Sequence, residues 1–317
     1  MEPSAPSPAE SPSSGGSMPG TGGDPAFVVH ASQASPIPVL IAVPHAGRTY
    51  PPALSAALRD PQRAALRLED RLVDALGEAV AAQTGAALIV ARAPRAMLDL
   101  NRAADDIDWE MIAGRPAGRH HATSPPGRRA RSGLGLISRR VPGLGELWRG
   151  RLDHAELEAR IAGIHVPYHA RVAAELAELR ARWGAALLLD LHSMPPLGER
   201  GGTNAAAEFV LGDRFGATSD GGLVATAFTC LAEAGARAAH NRPYAGGYAL
   251  DRHAAPRRGI HALQLEVDRR SYLDEALRET GPGFAATADL LVTLVRRLAA
   301  EVALLGSGVA AWRVAAE

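Results

Sequence analysis

The sequence predicts an α/β fold built on an open sheet whose central strands are buried on both faces. The first observation is the apolar run Leu187-Leu188-Leu189-Asp190-Leu191, which ends abruptly in His192-Ser193-Met194-Pro195. Continuous apolar runs bounded by turn residues mark fully buried strands. The second is that Pro38-Val39-Leu40-Ile41-Ala42-Val43 repeats the layout and runs into Pro44-His45-Ala46-Gly47. The third is that stretches of helical period lie between such runs, as with Leu66, Val73, Leu76 and Val80. In open α/β sheets ligands gather at the carboxyl ends of the strands. Two strands are therefore expected to bring one histidine each to the same sheet edge.

In chain order, residues 1–25 are almost all Ser, Pro, Gly, Ala and Glu. They carry neither the basic start nor the apolar core of a secretory signal, and a disordered tail is expected there. Phe27 to His30 reads as a short strand and Ile37 to Val43 as a firm one. A helical turn over Pro51 to Leu58 precedes one longer helix from Pro61 to Gln83, with Pro61 in the first turn. On that helix Asp70 and Asp74 stand four apart and share a face, which reads either as a solvated face or as a source of a metal ligand. Ala86 to Ala91 is a second buried strand leading to Asp99-Leu100-Asn101-Arg102, where a guanidinium fork beside an amide suits a carboxylate.

Residues 103–150 lose periodicity and read as a long excursion over the site. Its Gly133-Leu134-Gly135 lacks the third glycine of a dinucleotide fingerprint. Asp153 to Trp183 is amphipathic and helical, broken or bent near Pro167, with Tyr168 and His169 facing either a pocket or the helix packing. Glu208 to Leu211 is a strand and Asp220 to Glu233 a helix. Asn241 to Tyr248 is a loop, Ile260 to Val267 a strand carrying Glu266, and Phe284 onward a last long helix.

With 317 residues, 47% of them apolar, the chain is long enough for a large core. Basic and acidic residues balance at 34 each, which removes the field that draws a protein to nucleic acid or an anionic membrane. No run reaches the roughly 18 apolar residues of a membrane span. The single cysteine, Cys230, excludes an internal disulfide framework and a cysteine zinc site, and fits a reducing cytoplasm. A metal, if used, has histidine and carboxylate to bind it. His45, His192 and a helical acid form such a set, two histidines with a carboxylate being a standard catalytic zinc arrangement with an open fourth position. Glu266 is then available as general base and Asn101 with Arg102 as substrate anchor.

The motifs also resemble a known family. Val43-Pro44-His45-Ala46-Gly47 with Tyr50-Pro51, Glu69-Asp70 with Asp74, Asp99-Leu100-Asn101-Arg102 and Gly133-Leu134-Gly135-Leu136-Ile137 occur in order. Pro167-Tyr168-His169, Asp190-Leu191-His192-Ser193-Met194-Pro195, Asn241 through Tyr248, and His261 through Glu266 follow. Along Val39 to Asp274 this series resembles the N-formylglutamate amidohydrolases. The resemblance implies a single three-layer domain over residues 26–317, with a mixed, mostly parallel sheet flanked by helices, similar to zinc carboxypeptidases and aspartoacylases. It implies one Zn2+ ion held by His45, Asp70 and His192, with Glu69 the neighbouring alternative for the acid. Asn101-Arg102 would anchor the substrate and Glu266 would be the base.

The activity implied is hydrolysis of N-formyl-L-glutamate or a similar small N-acyl amino acid to the free amino acid and a carboxylic acid. Such a dianion gives further arginines a reason to converge, with Arg139 and Arg252 as candidates. Two departures bear on the pocket walls: Ala249-Leu250-Asp251-Arg252-His253 after Tyr248, and the arginine-rich excursion before Gly133. The alternatives are a zinc-dependent deacylase or carboxypeptidase-like hydrolase with a different acyl group, and, in another class, a metal-free protein that binds carboxylates.

Overall fold

The computed structural model describes residues 12–30, 35–114, 127–198 and 206–316. Strands β1 (Ser13–Gly15), β2 (Phe27–His30) and β3 (Val39–Val43) come first, then helices α1 (Pro52–Ala57), α2 (Pro61–Leu68) and α3 (Val73–Thr84), then β4 (Ala87–Ala91). Among the described residues the excursion holds short pieces, β5 (Ile112–Ala113), α4 (Arg128–Arg131), β6 (Arg140–Val141) and β7 (Gly145–Glu146), and β8 (Leu152–Asp153) follows it. Its His120 and His121 lie outside the described residues. Helices α5 (His154–Arg160) and α6 (Val166–Trp183) lead into β9 (Ala186–Met194). Then come β10 (Phe209–Gly212), α7 (Gly221–Glu233), β11 (Ala238–His240), α8 (Tyr248–His253), β12 (Ile260–Asp268) and α9 (Phe284–Ala316).

The sheet has eight strands in the order β1-β2-β4-β3-β9-β12-β10-β11. Its centre, from β4 through β12, is parallel, and antiparallel pairs join β1 to β2, β2 to β4 and β12 to β10. Every residue of β3, β4 and β9 is buried. Strand alternation sorts their side chains into two cores. Leu40, Ile89 and Leu188 pack with Val172 and Leu176 of α6 on one face. Ile41, Val43 and Leu189 pack with α3, α7 and α9 on the other. The result is helix, sheet, helix, the mixed three-layer arrangement expected. Among the described residues no helix is long and apolar enough to cross a membrane.

Two expectations need correction. The first 25 residues are not disordered throughout: Ser13, Ser14 and Gly15 pair with Val29, Val28 and Phe27, and Met18 is buried. Composition hides this, because docking rests on backbone groups: β2 needs an edge partner, and Ser17 N donates to Gly163 O at 2.8 Å. The second correction concerns the single helix from Pro61 to Gln83, which is two helices. Glu69 turns extended and Leu72 adopts φ 54°, so Asp70 and Asp74 share no helical face. Arg269 stabilises the break by donating to the carbonyls of Leu66 and Glu69, groups left unpaired where α2 ends. The irregularity expected near Pro167 is present: the 153–183 helix is interrupted at Ile161–His165, just before that proline, where one π turn stands between α5 and α6.

Candidate metal and substrate site

Strands β3 and β9 are direct neighbours, with Ala42 opposite Asp190, and the two histidines meet at their carboxyl ends. His45 follows β3 on a turn pressed against the next crossover. A Cβ on Gly47 would stand 2.1 Å from the Ala93 carbonyl oxygen, so only glycine fits there. His192 lies within β9, on the same face as Asp190 two residues earlier. Asp70 comes from the break between α2 and α3, where its N–H donates to His45 O at 3.0 Å.

The three side chains are buried, and one ligand atom from each lies within 4.8 Å of the others. The imidazole rings are 4.7 Å apart. His45 Nε2 donates to Asp99 Oδ1 at 2.7 Å, and His192 Nε2 donates to Asp190 Oδ2 at 2.9 Å. A carboxylate only accepts, so each contact puts the ring proton on Nε2 and turns Nδ1 toward the common centre. There His192 Nδ1 stands 2.9 Å and His45 Nδ1 3.5 Å from Asp70 Oδ2. His45 Nδ1 is buried with no hydrogen-bond partner. Two imidazole nitrogens and one carboxylate oxygen, each ring held from behind by a second carboxylate, fit a divalent zinc-like ion.

The electrostatics agree. Burial opposes ionisation of Asp70, yet the facing imidazoles of His192 and His45 outweigh it and hold the carboxyl below its usual range. Burial likewise disfavours a charged His192, but Asp190 and Asp70 raise its proton affinity well above normal. The same field favours any cation, so ligation competes with protonation. Glu69 takes a different course: its carboxylate lies 3.4 Å from Arg71 Nη1. Arg269 stands 3.6 Å from Asp70 Oδ1 and donates to Ser193 Oγ, bracing the acid from β12's end.

Glu266 sits opposite His192 in the β12–β9 register, and its Oε1 accepts from Gln264 Nε2 at 3.0 Å. Burial pushes its carboxyl up to about 7, with His192 opposing. A carboxylate of that affinity exchanges protons readily near neutral pH.

These groups open into a cavity of about 500 Å3 whose walls carry Arg67, Arg95, Arg102, Arg129, Arg214 and Arg269. Arg102 donates to the carbonyls of Leu134 and Asn101 and stands 4.0 Å from the Asp99 carboxylate. Asn101 lines the cavity with its amide engaged: Oδ1 accepts from Ala249 N at 2.9 Å, and Nδ2 donates to Gln264 Oε1 at 3.3 Å. A Cβ on Gly247 would meet Asn101 Oδ1 at 2.4 Å, which explains the paired glycines before α8.

Arg139 and Arg252 do not line this cavity. Arg139 is paired with Asp108 and Glu110, and Arg252 lies over the Tyr248 ring and donates to its hydroxyl. Sequence reasoning passed over Asp99 and Asp190 as histidine supports. The second carries a readable signal, since residues two apart on a strand share a face. Arg95 and Arg269 carry none, because their placement depends on the path of loops.

Fold and site together define a three-layer α/β protein with a buried His-Asp-His cluster at the carboxyl edge of its sheet, opening into an arginine-lined cavity. The N-formylglutamate amidohydrolase family model matches residues 37–273, and the chain belongs to that family. It is 32% identical over 260 residues to an N-formylglutamate deformylase of Pseudomonas aeruginosa, covering 80% of this chain and 87% of the relative. A second N-formylglutamate deformylase, from Pseudomonas putida, is 30% identical over 242 residues, covering 75% and 83%. The crystal structure of N-formylglutamate amidohydrolase from Ralstonia eutropha JMP134 superposes with a TM-score of 0.77 at 32% identity, covering 87% of this chain and 98% of that one.

Proposed function

We propose that the protein hydrolyses the amide of N-formyl-L-glutamate to formate and L-glutamate, using one zinc ion held by His45 Nδ1, Asp70 and His192 Nδ1. The observation that carries this reading is the pair of buried imidazoles, each fixed through Nε2 by an aspartate and converging through Nδ1 on Asp70. Such an ion supplies Lewis-acid polarisation of an amide carbonyl and a water acidified toward neutral pH. Family membership supports the substrate.

The chain's own residues supply the rest. Glu266 accepts the proton of the attacking water and returns it to the amide nitrogen as the C–N bond breaks, so the amine leaves neutral. General acid-base work of this kind is worth about 10² to 10⁴ in rate. Arg102 pairs with one substrate carboxylate through its planar fork, with Asn101 fixing the loop beside it. The other arginines of the cavity offset the second carboxylate.

Metal analysis of the purified protein, joined to a formate-release assay on N-formyl-L-glutamate, N-acetyl-L-glutamate and N-formyl-L-alanine, tests the proposal. About one zinc per chain and preferential release of formate from the glutamate derivative are expected. Preferential release of acetate would replace the acyl assignment, and absence of both metal and turnover would favour a carboxylate-binding protein.

A further inference from the structure

Three histidines that the proposed chemistry leaves unused lie under the substrate anchor. His165 ends the π turn, and His169 follows it by four residues on the same face of α6. Both are buried, His169 completely. His169 Nε2 donates to Leu100 O at 3.0 Å, and His165 Nε2 donates to Arg102 O at 2.9 Å. The two carbonyls flank Asn101. Donation from Nε2 leaves a lone pair on His169 Nδ1, which accepts from His253 Nε2 at 2.9 Å. His253 closes α8, the helix whose first turn presents Ala249 N to Asn101 Oδ1. The rings of His165 and His169 pack 4.4 Å apart, with Tyr248 against both.

We infer that His169, with His165 and His253, forms a positioning unit that sets the Asn101-Arg102 backbone and so the direction of the Arg102 fork. The inference rests on the anchor role of Arg102 proposed above. The tautomers are fixed in series: an acceptor carbonyl at one end requires Nε2–H on His169, and that requires a donor from His253. Burial holds His169 down to about 2, so its ring stays neutral near neutral pH. A purely apolar ring would leave the Leu100 carbonyl buried without its donor. The loop would then move, and a displacement near 1 Å at a substrate-positioning group costs on the order of 10².

His169→Phe, His169→Gln and wild type are compared in two ways. Gln places its amide nitrogen where Nε2 stood, and Phe keeps the ring but not the donor. In kinetics His169→Phe is expected to raise KM about tenfold or more with kcat and bound metal little changed, the pattern of lost uniform binding. His169→Gln should recover most of that loss. In hydrogen exchange, the Asn101 and Arg102 amides, which donate to Asp99, should exchange faster in the Phe variant and return toward wild type in the Gln variant. Unchanged exchange, or Gln no better than Phe, overturns the inference. Should wild type release no formate, the proposed function fails while the exchange experiment still decides the positioning role. If His169→Phe does not fold, His165→Leu, which removes the donor to Arg102 O alone, is read in the same way.

Discussion

At the scale of single residues, roles are separated by what each loss removes. His45→Ala or His192→Ala deletes one of three proposed ligands, so each should strip zinc and activity together. Glu266→Gln keeps shape but cannot take a proton; zinc content should stay and the rate fall by about 10² or more. Zinc retained in His45→Ala, or lost in Glu266→Gln, would reverse the assignments. Asp70→Asn should weaken metal binding and Glu69→Gln leave it nearly untouched, as expected from a Glu69 carboxylate beside Arg71. Arg102→Lys keeps the charge and loses the fork, so substrate use should weaken while zinc stays; unchanged kinetics would pass the anchor role to another cavity arginine such as Arg95 or Arg214. Both histidines and Glu266 were legible because a buried strand announces its own end. The residues alone offered Asp70 and Asp74 as equivalent helical acids, because the apparent period runs unbroken from Pro61 to Gln83, and only the family resemblance chose Asp70. Arg139 is taken up by Asp108 and Glu110 from a segment distant in sequence. Arg252 is taken up by Tyr248, one turn earlier on the same face of α8.

At the scale of elements, the N-terminal strand was hidden for a different reason. Ser13, Ser14 and Gly15 offer no apolar signal, and their pairing exists because β2 has a free edge to cover. Met18 is the one large apolar side chain in that stretch and is 2% exposed. Burial of a methionine contributes about 2 kcal/mol, so Met18→Asp should lower unfolding free energy by about that much or more, read by chemical denaturation. A change within error would mean that the strand contributes nothing to the folded body. The central strands were predictable to within three residues because both their faces are apolar, with odd-numbered leucines of β9 packing on α3 and α9 and even-numbered Leu188 on α6. The break between α2 and α3 was not, because it is imposed from outside by Arg269 and by the Asp70–His45 backbone bond.

At the scale of the molecule, stability should depend on pH through the buried histidines. Burial holds His169 down to about 2 and His253 down to about 4, and lowers His165 as well. Arg252 opposes protonation of all three, while Asp99 favours it at His165 and Asp190 at His253. As pH falls below about 6.5 the unfolded chain takes up protons that the folded one refuses, so stability is full above that pH and declines toward 4. Well below pH 6.5 the slope approaches about 1.4 kcal/mol per pH unit per histidine, which integrates to about 3 kcal/mol for His169 and His253 together between pH 6.5 and 5. Denaturation of His253→Gln should show a slope shallower by one histidine's share; an identical slope would remove His253 from the account. The π turn at Ile161–His165 has a reach of the same scale. It works as a phase shifter between two rigid rods. Deleting one residue there would restore a regular ladder, but it would also swing α5 by about 100° about the common axis and draw it in by about 1.5 Å. Arg160 would lose the Met97 carbonyl to which it donates at 2.9 Å, and Ser17 would lose its acceptor on Gly163. One extra residue in a helix thus keeps the N-terminal segment, α5 and the floor of the anchor loop in mutual alignment.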